Sequence, residues 1–235
     1  MTNEQMTDLI NRHLGITDSY QAPDRLMQML YDRDDRETVF KNMLEAFRYD
    51  VTYDWFHLYF QDEHADRKKK KQDFTPKSVA TLLSKLTEGE GDVLDVAAGT
   101  GGLLITKWDE DRVRAGFFAY SPANHFYQAE ELSDRAIPFL LFNLAIRGMN
   151  ATVAHVDSLS RKAKGVFFIQ NDLNDAGAFS SINVFPYDEQ VERTFNVKFV
   201  ERAYPPLIES KNIPHHVEHH LSKPHSHDQT QLTLF

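Results

Sequence analysis

The sequence predicts an open α/β sheet preceded by a helical N-terminal subdomain, and three observations carry that expectation. A short apolar strand, Val93-Leu94-Asp95-Val96, runs straight into a glycine-rich loop and then into Leu103-Leu104-Ile105, which is the order strand, loop, helix. The middle of the chain then alternates helical and strand patterns. The first 66 residues instead repeat apolar positions at helical spacing, with few strand formers in series.

Helical segments are expected near 4–14, 24–32, 37–48 and 50–60, where Thr38, Phe40, Met43, Leu44 and Phe47 form one apolar stripe of the kind that packs into a core. A helix should run over 76–87, with Thr75 as its cap and Pro76 in its first turn. A second is expected from Ser133 to Arg147, closed by Gly148. Strands should follow near 151–156, 165–170 and 180–185. From Tyr204 prolines, histidines and a polar stretch read as a tether rather than core. The expected division is therefore a helical subdomain over 1–66, an α/β domain over 67–203 and a tail over 204–235.

Composition excludes several classes. With 235 residues, 41% of them hydrophobic and none cysteine, the chain has material for one real core, no disulfide scaffold, no zinc finger and no thiol nucleophile. Its longest apolar stretch, Ile137 to Ile146, is half the roughly 20 residues of a membrane span and contains Pro138 and Asn143. The N-terminus lacks the pattern of a secretory signal, so a cytoplasmic protein with no membrane partner is expected. The formal net charge of −9 argues against nucleic-acid binding over the whole surface. The charge is uneven, however: residues 1–66 carry 14 acidic and 6 basic side chains, and Arg67, Lys68, Lys69, Lys70 and Lys71 then form a cationic run suited to phosphate contacts or to a solvated loop.

Chemistry concentrates at the loop after the first strand. Asp95-x-Ala97-Ala98-Gly99-Thr100-Gly101-Gly102 consists of small residues that let backbone N–H groups approach a ligand. It lacks the Lys-Ser/Thr of a phosphate loop and the spacing of a dinucleotide fingerprint. It resembles the S-adenosylmethionine loop of amino-group DNA methyltransferases. Neighbouring motifs occur in the order found in adenine-N6 methyltransferases similar to the modification subunit of type I restriction systems: Asp73-Phe74-Thr75-Pro76-Lys77-Ser78-Val79 upstream, then Glu130-Glu131, then Asn143-Leu144-Ala145-Ile146-Arg147-Gly148, then His155-Val156-Asp157-Ser158-Leu159. The resemblance runs from Gln72 to Tyr187. It implies a Rossmann-like methyltransferase sheet and S-adenosyl-L-methionine as cofactor, held by Phe74, Thr75, Asp95, Ala97, Gly99, Thr100, Gly101, Gly102, an acid at Glu130 or Glu131, of which Glu130 is taken as the candidate, and Asp157. Asp95 would accept from the cofactor's ammonium, and the acid at 130 or 131 from its ribose hydroxyls.

The resemblance also implies a catalytic Asn/Asp-Pro-Pro-Tyr/Phe segment that holds a flipped adenine. Its counterpart here is Val184-Phe185-Pro186-Tyr187, preceded by Asn183. Pro186 and Tyr187 match, while Val184 offers no side-chain acceptor, so Asn183 is the candidate amide. The chain is short for a full methyltransferase sheet with a target-reading domain, which suggests a separate DNA-specificity subunit.

The tail holds six of the eleven histidines, between His215 and His227, and is read as a polar tether without a native metal. It ends in Gln231-Leu232-Thr233-Leu234-Phe235, which resembles the short peptide by which bacterial replication and repair proteins dock on the sliding clamp, with Gln231, Leu232, Leu234 and Phe235 as contacts. Two readings follow. One is a DNA adenine-N6 methyltransferase tethered to the clamp. The other is a phage or mobile-element protein that keeps the fold, has lost catalysis and acts through clamp binding.

Overall fold

The computed structural model describes residues 2–63, 93–116 and 119–211. Helix α1 (Asn3–Leu14) starts at a reciprocal cap: the Thr2 hydroxyl accepts from Gln5 N while the Gln5 side chain accepts from Thr2 N, and Gly15 ends it at φ 70°. Helix α2 (Ala22–Leu30) carries Pro23 in its first turn, and α3 (Arg33–Ala46) is capped by Asp32. The helix expected over 50–60 begins only at α4 (His57–Glu63). Asp50 accepts from the amide and hydroxyl of Thr52, and Asp54 accepts from Phe56 N, so side-chain turns hold 50–56 out of the helix. The helix expected over 76–87 lies outside the described residues.

The sheet contains β1 (Val93–Asp95), β2 (Tyr127–Glu131), β3 (Ala151–Val156), β4 (Lys162–Gln170), β5 (Ser181–Val184) and β6 (Lys198–Phe199), in the order β1-β2-β3-β4-β5 with β6 beside β4. Strands β1, β2 and β3 are parallel, joined through α5 (Gly102–Ala115) and α6 (Ile137–Ile146). Right-handed crossovers that step in one direction place both helices on the same face. Strand β4 is antiparallel to β3, and β5 antiparallel to β4. Chain length explains this departure from simple alternation. Only residues 157–161 join β3 to β4, and a parallel return needs a dozen residues or more. The sheet is thus mixed: a parallel, Rossmann-like half of three strands extended beyond β3 by antiparallel ones.

All ten residues of α6 are buried. One side lies on the sheet and the other receives the N-terminal helices, with Phe142 4.7 Å from Phe40 and 5.1 Å from Phe56, ring centre to ring centre. A helix covered on all sides is apolar on all sides, which accounts for the sequence's longest hydrophobic stretch. Among the described residues no helix is long and apolar enough to cross a membrane. The opposite face of the sheet packs Ala154, Val156 and Val166 against Val191 and Phe195 of the segment that contains α7 (Glu189–Thr194).

The chain after Tyr204 departs from the expected tether as far as it is described. Tyr204 is buried, and its ring lies where a side chain on Gly165 would stand, since a Cβ there would come 2.4 Å from Tyr204 Cδ2. Its hydroxyl meets His155 Nδ1 at 2.5 Å. Glu209 then forms a two-pronged ion pair with Arg36 of α3 at 2.8 and 2.6 Å and accepts from Ile182 N. Burial of both partners is why residues 204–210 are ordered against the body.

Candidate cofactor loop

The parallel register decides which side chains meet at the carboxyl ends of β1–β3. Asp95 lies opposite Ala129, and Glu131 opposite His155. Side chains alternate along a strand, so Asp95, Ala129 and Glu131 share one face and Glu130 points to the other. Beyond Asp95 the chain turns sharply: Ala98 N donates to Glu130 O at 3.0 Å, Gly101 N to Ala98 O at 2.8 Å, and Gly99 and Gly101 take φ of 56° and 94°. Gly101 is required for its left-handed backbone, and a Cβ there would also press on the Leu140 Cδ1 methyl of α6 at 2.9 Å.

Glu131 is the acid that meets the loop. Its Oε2 accepts from Gly99 N at 2.7 Å and its Oε1 from Ser133 N at 2.7 Å. Glu130, the acid favoured from sequence, is engaged on the opposite face in a two-pronged pair with Arg161 at 2.7 and 2.8 Å. Strand alternation puts the two on opposite faces, and the register of β1, β2 and β3 decides which of them meets the loop. Asp95 accepts from Ala97 N at 3.1 Å, and burial together with the nearby Glu131 charge raises its pKa. No cation faces Asp95 among the described residues that shape its titration. Among the described residues, two carboxylates thus stand beside a loop of small residues.

The third strand end is organised differently. The Asp157 carboxylate accepts from Leu159 N, Ser160 N and the Ser160 hydroxyl, and these donors hold it below the usual carboxylate range. Ser158 Oγ donates to Val96 O at 2.7 Å, tying this turn to the loop after β1. Arg161 fixes the turn from behind, with a left-handed φ of 59° and donations to Glu130 and Phe195 O. Leu132 and Leu159, one residue past Glu131 and two past Asp157, are 62% and 97% exposed. They are apolar side chains left in solvent just past the carboxyl ends of β2 and β3.

Sequence reasoning missed the support of the loop. The Thr100 hydroxyl, itself buried, donates to Asp54 Oδ2 at 2.5 Å. Asn143 Nδ2 donates both to Asp54 Oδ1 and to Thr100 O, each at 2.8 Å. Arg147, fully enclosed, donates to Asn143 Oδ1 at 2.9 Å and to the carbonyls of Val51 and Tyr53 at 2.9 and 2.7 Å. Burial pulls its pKa down to about 10, against the attraction of Asp54. Asn143 and Arg147 were visible in the helix motif, but Asp54 lies 46 positions before Thr100 and carried no local signal.

The segment expected to be catalytic is not brought to this loop. Strand β5 is four strand positions from β1, about 19 Å at the ordinary spacing of a sheet. Asn183 spends its amide locally: Oδ1 accepts from Glu209 N and Ser210 N at 2.9 and 3.0 Å, and Nδ2 donates to Ser210 Oγ and Phe168 O. The Tyr187 hydroxyl contacts Lys164 O and accepts from Tyr204 N, and its ring meets the edge of Phe199 at 4.8 Å. Pro186 is exposed beside them. The physical reason is again the short link after β3, which sends β4 and β5 outward instead of back across β1.

Phe74, Thr75, Lys68, Lys69, Lys70 and Lys71, the tail histidines, and Gln231, Leu232, Leu234 and Phe235 lie outside the described residues. Among the described residues no group of three His, Asp or Glu is placed to hold a metal ion.

The family model for N-6 DNA methylases matches residues 50–206, about two thirds of the chain. This chain belongs to the N-6 DNA methylase family. The match starts at Asp50, so the turn that carries Asp54 lies inside the family region, upstream of the Gln72 at which the motif resemblance begins. No curated protein and no solved structure matches the chain. Family membership implies a fold of the kind that binds S-adenosylmethionine, and DNA as the expected partner.

Proposed function

We propose that this chain binds S-adenosylmethionine at the Asp95–Gly102 loop and serves DNA adenine-N6 methylation, with the groups that hold the target base drawn from outside Asn183, Pro186 and Tyr187. One observation carries the reading: Asp95 and Glu131 bring two carboxylates to a small-residue loop, and among the described residues no cation shapes the titration of Asp95. A ligand bearing an ammonium and a sulfonium would relieve that charge. The residues present fit such a ligand. Asp95 would accept from the ammonium, Glu131 keeps lone pairs for ribose hydroxyls beyond the two donors it already serves, and Leu132 and Leu159 supply apolar cover for a flat base. Ala97, Gly99, Thr100, Gly101 and Gly102 form the loop itself. Glu130 and Asp157 contribute indirectly, through Arg161 and through the turn that carries Leu159. When bound, the cofactor supplies an activated methyl group, and the chain's own part is to hold and orient it.

Equilibrium dialysis with methyl-labelled S-adenosylmethionine, with and without adenine-containing duplex DNA, tests this. Cofactor retention by the full chain and its loss in Asp95→Ala are expected. Label transfer that vanishes in Tyr187→Ala while cofactor retention is unchanged would overturn the assignment of the base-holding groups.

A second reading is favoured by the saturation of Asn183 and Tyr187 at the far edge: a family member without catalysis, acting as an interaction module through its C-terminal peptide. Deletion after Thr230 should then abolish binding to a bacterial sliding clamp while cofactor affinity stays unchanged. Undiminished clamp binding would remove this reading and the clamp tether together.

A further inference from the structure

The loop's support from the 50–56 turn has a consequence for binding. Thr100 is buried and spends its hydroxyl on Asp54. Thr100 therefore acts through its backbone position, which is fixed from two directions: by its hydroxyl on Asp54 and by its carbonyl on Asn143. Asp54 joins the two, because its other oxygen accepts from the same Asn143 amide. The turn itself is anchored to α6 by Arg147 through the Val51 and Tyr53 carbonyls, and by Trp55, whose indole N–H donates to Asp50 O at 2.7 Å and whose ring stacks on Phe47 at 4.5 Å. The chain of contacts thus runs from α3 to the glycine loop.

We propose that Asp54 is a positioning residue that holds the Gly99–Gly102 backbone in its ligand-ready shape, so that the N-terminal helical region governs cofactor affinity without contacting the cofactor. This inference rests on the cofactor reading above for its affinity arm only. The loop conformation needs such a hold: Gly99 and Gly101 both adopt left-handed backbone angles, and glycine has the most alternatives to fall back on once a restraint is released. Asp54 carries three acceptor contacts at once, so its removal leaves the Thr100 hydroxyl and one Asn143 donor without their partner.

Hydrogen–deuterium exchange on the ligand-free full chain, combined with calorimetric titration of S-adenosylmethionine, separates the two parts. In Asp54→Ala the amides of residues 98–102 should exchange at least tenfold faster than in the wild type while those of β3 and β4 stay as they are, and cofactor affinity should fall at least tenfold. Thr100→Val, which removes the same contact without touching the turn, should give the same pattern, Thr100→Ser should restore it, and the double variant should lose no more than the worse single one. Unchanged exchange in both single variants would overturn the proposal, as would faster exchange with undiminished affinity, or losses that simply add. If the wild type binds no cofactor, the cofactor reading falls, and the positioning role is then decided by the exchange result alone.

Discussion

The two ends of the sheet treat their polar groups in opposite ways. At the β1–β2 end, Asp95 and Glu131 crowd negative charge against a glycine loop, and Leu132 and Leu159 stand in solvent. At the β5 end, every polar atom of Asn183 has a partner, the Tyr187 hydroxyl is shared between strand and tail, and Glu209 is locked to Arg36. Saturated groups hold a fold together, and groups with unspent capacity are available to a ligand. On the proposed reading, binding belongs to the first end and structure to the second, although both carry motifs that resemble parts of one active site.

The largest effect that tests this contrast is on stability. Glu209→Ala leaves Arg36 buried without its counter-charge and should cost about 3–5 kcal/mol in urea denaturation, the range for breaking a buried pair. Cofactor affinity should not change in whatever fraction remains folded. Next, Asn183→Ala strips two backbone amides of their acceptor and should cost about 1–3 kcal/mol, again without a change in affinity. A selective loss of cofactor binding in either variant would break the comparison at its structural end.

At the other end the expected signs reverse. Asp95→Asn keeps an acceptor for Ala97 N but removes a charge that is disfavoured in the folded state. Its folded pKa is raised, so the ionised carboxylate costs stability at neutral pH, a cost removed as pH falls through the folded pKa. The variant should therefore melt slightly higher than the wild type in a thermal scan at neutral pH. It should lose cofactor binding nonetheless. For the same reason wild-type affinity should weaken as pH drops through the raised Asp95 pKa, and a flat pH profile from neutral to acid would count against an ionised Asp95 as the ammonium's partner. The smallest effect sharpens the choice between neighbours: Glu131→Gln should weaken cofactor binding more than Glu130→Gln, with Glu130→Gln acting instead on stability through Arg161.

Local grammar made much of this legible. Strand Val93–Asp95, the glycine loop, the helix after it and strand Ala151–Val156 follow directly from apolar runs bounded by small residues. The α6 motif announced Asn143 and Arg147, which do hold the loop, through contacts that no local pattern specifies. What was not legible depends on register or on distant pairing. Choosing Glu131 over Glu130 required knowing which face of β2 meets α6, and Asp54 reaches Thr100 only because the 50–56 turn is folded onto α6. The segment expected to be catalytic lies apart from the loop for a topological reason already present in the sequence: five residues between Val156 and Lys162 cannot carry a crossover. Once β4 turns back beside β3, Tyr187 is committed to the far edge, whatever its local motif resembles.

The most direct test of the contrast is one calorimetric series: S-adenosylmethionine titrated into the wild type, Asp95→Asn and Tyr187→Phe under identical conditions. Binding by the wild type and by Tyr187→Phe with equal affinity, and none by Asp95→Asn, is the predicted result. Equal losses in Asp95→Asn and Tyr187→Phe, or no binding by the wild type, would contradict the assignment of cofactor binding to the β1–β2 end.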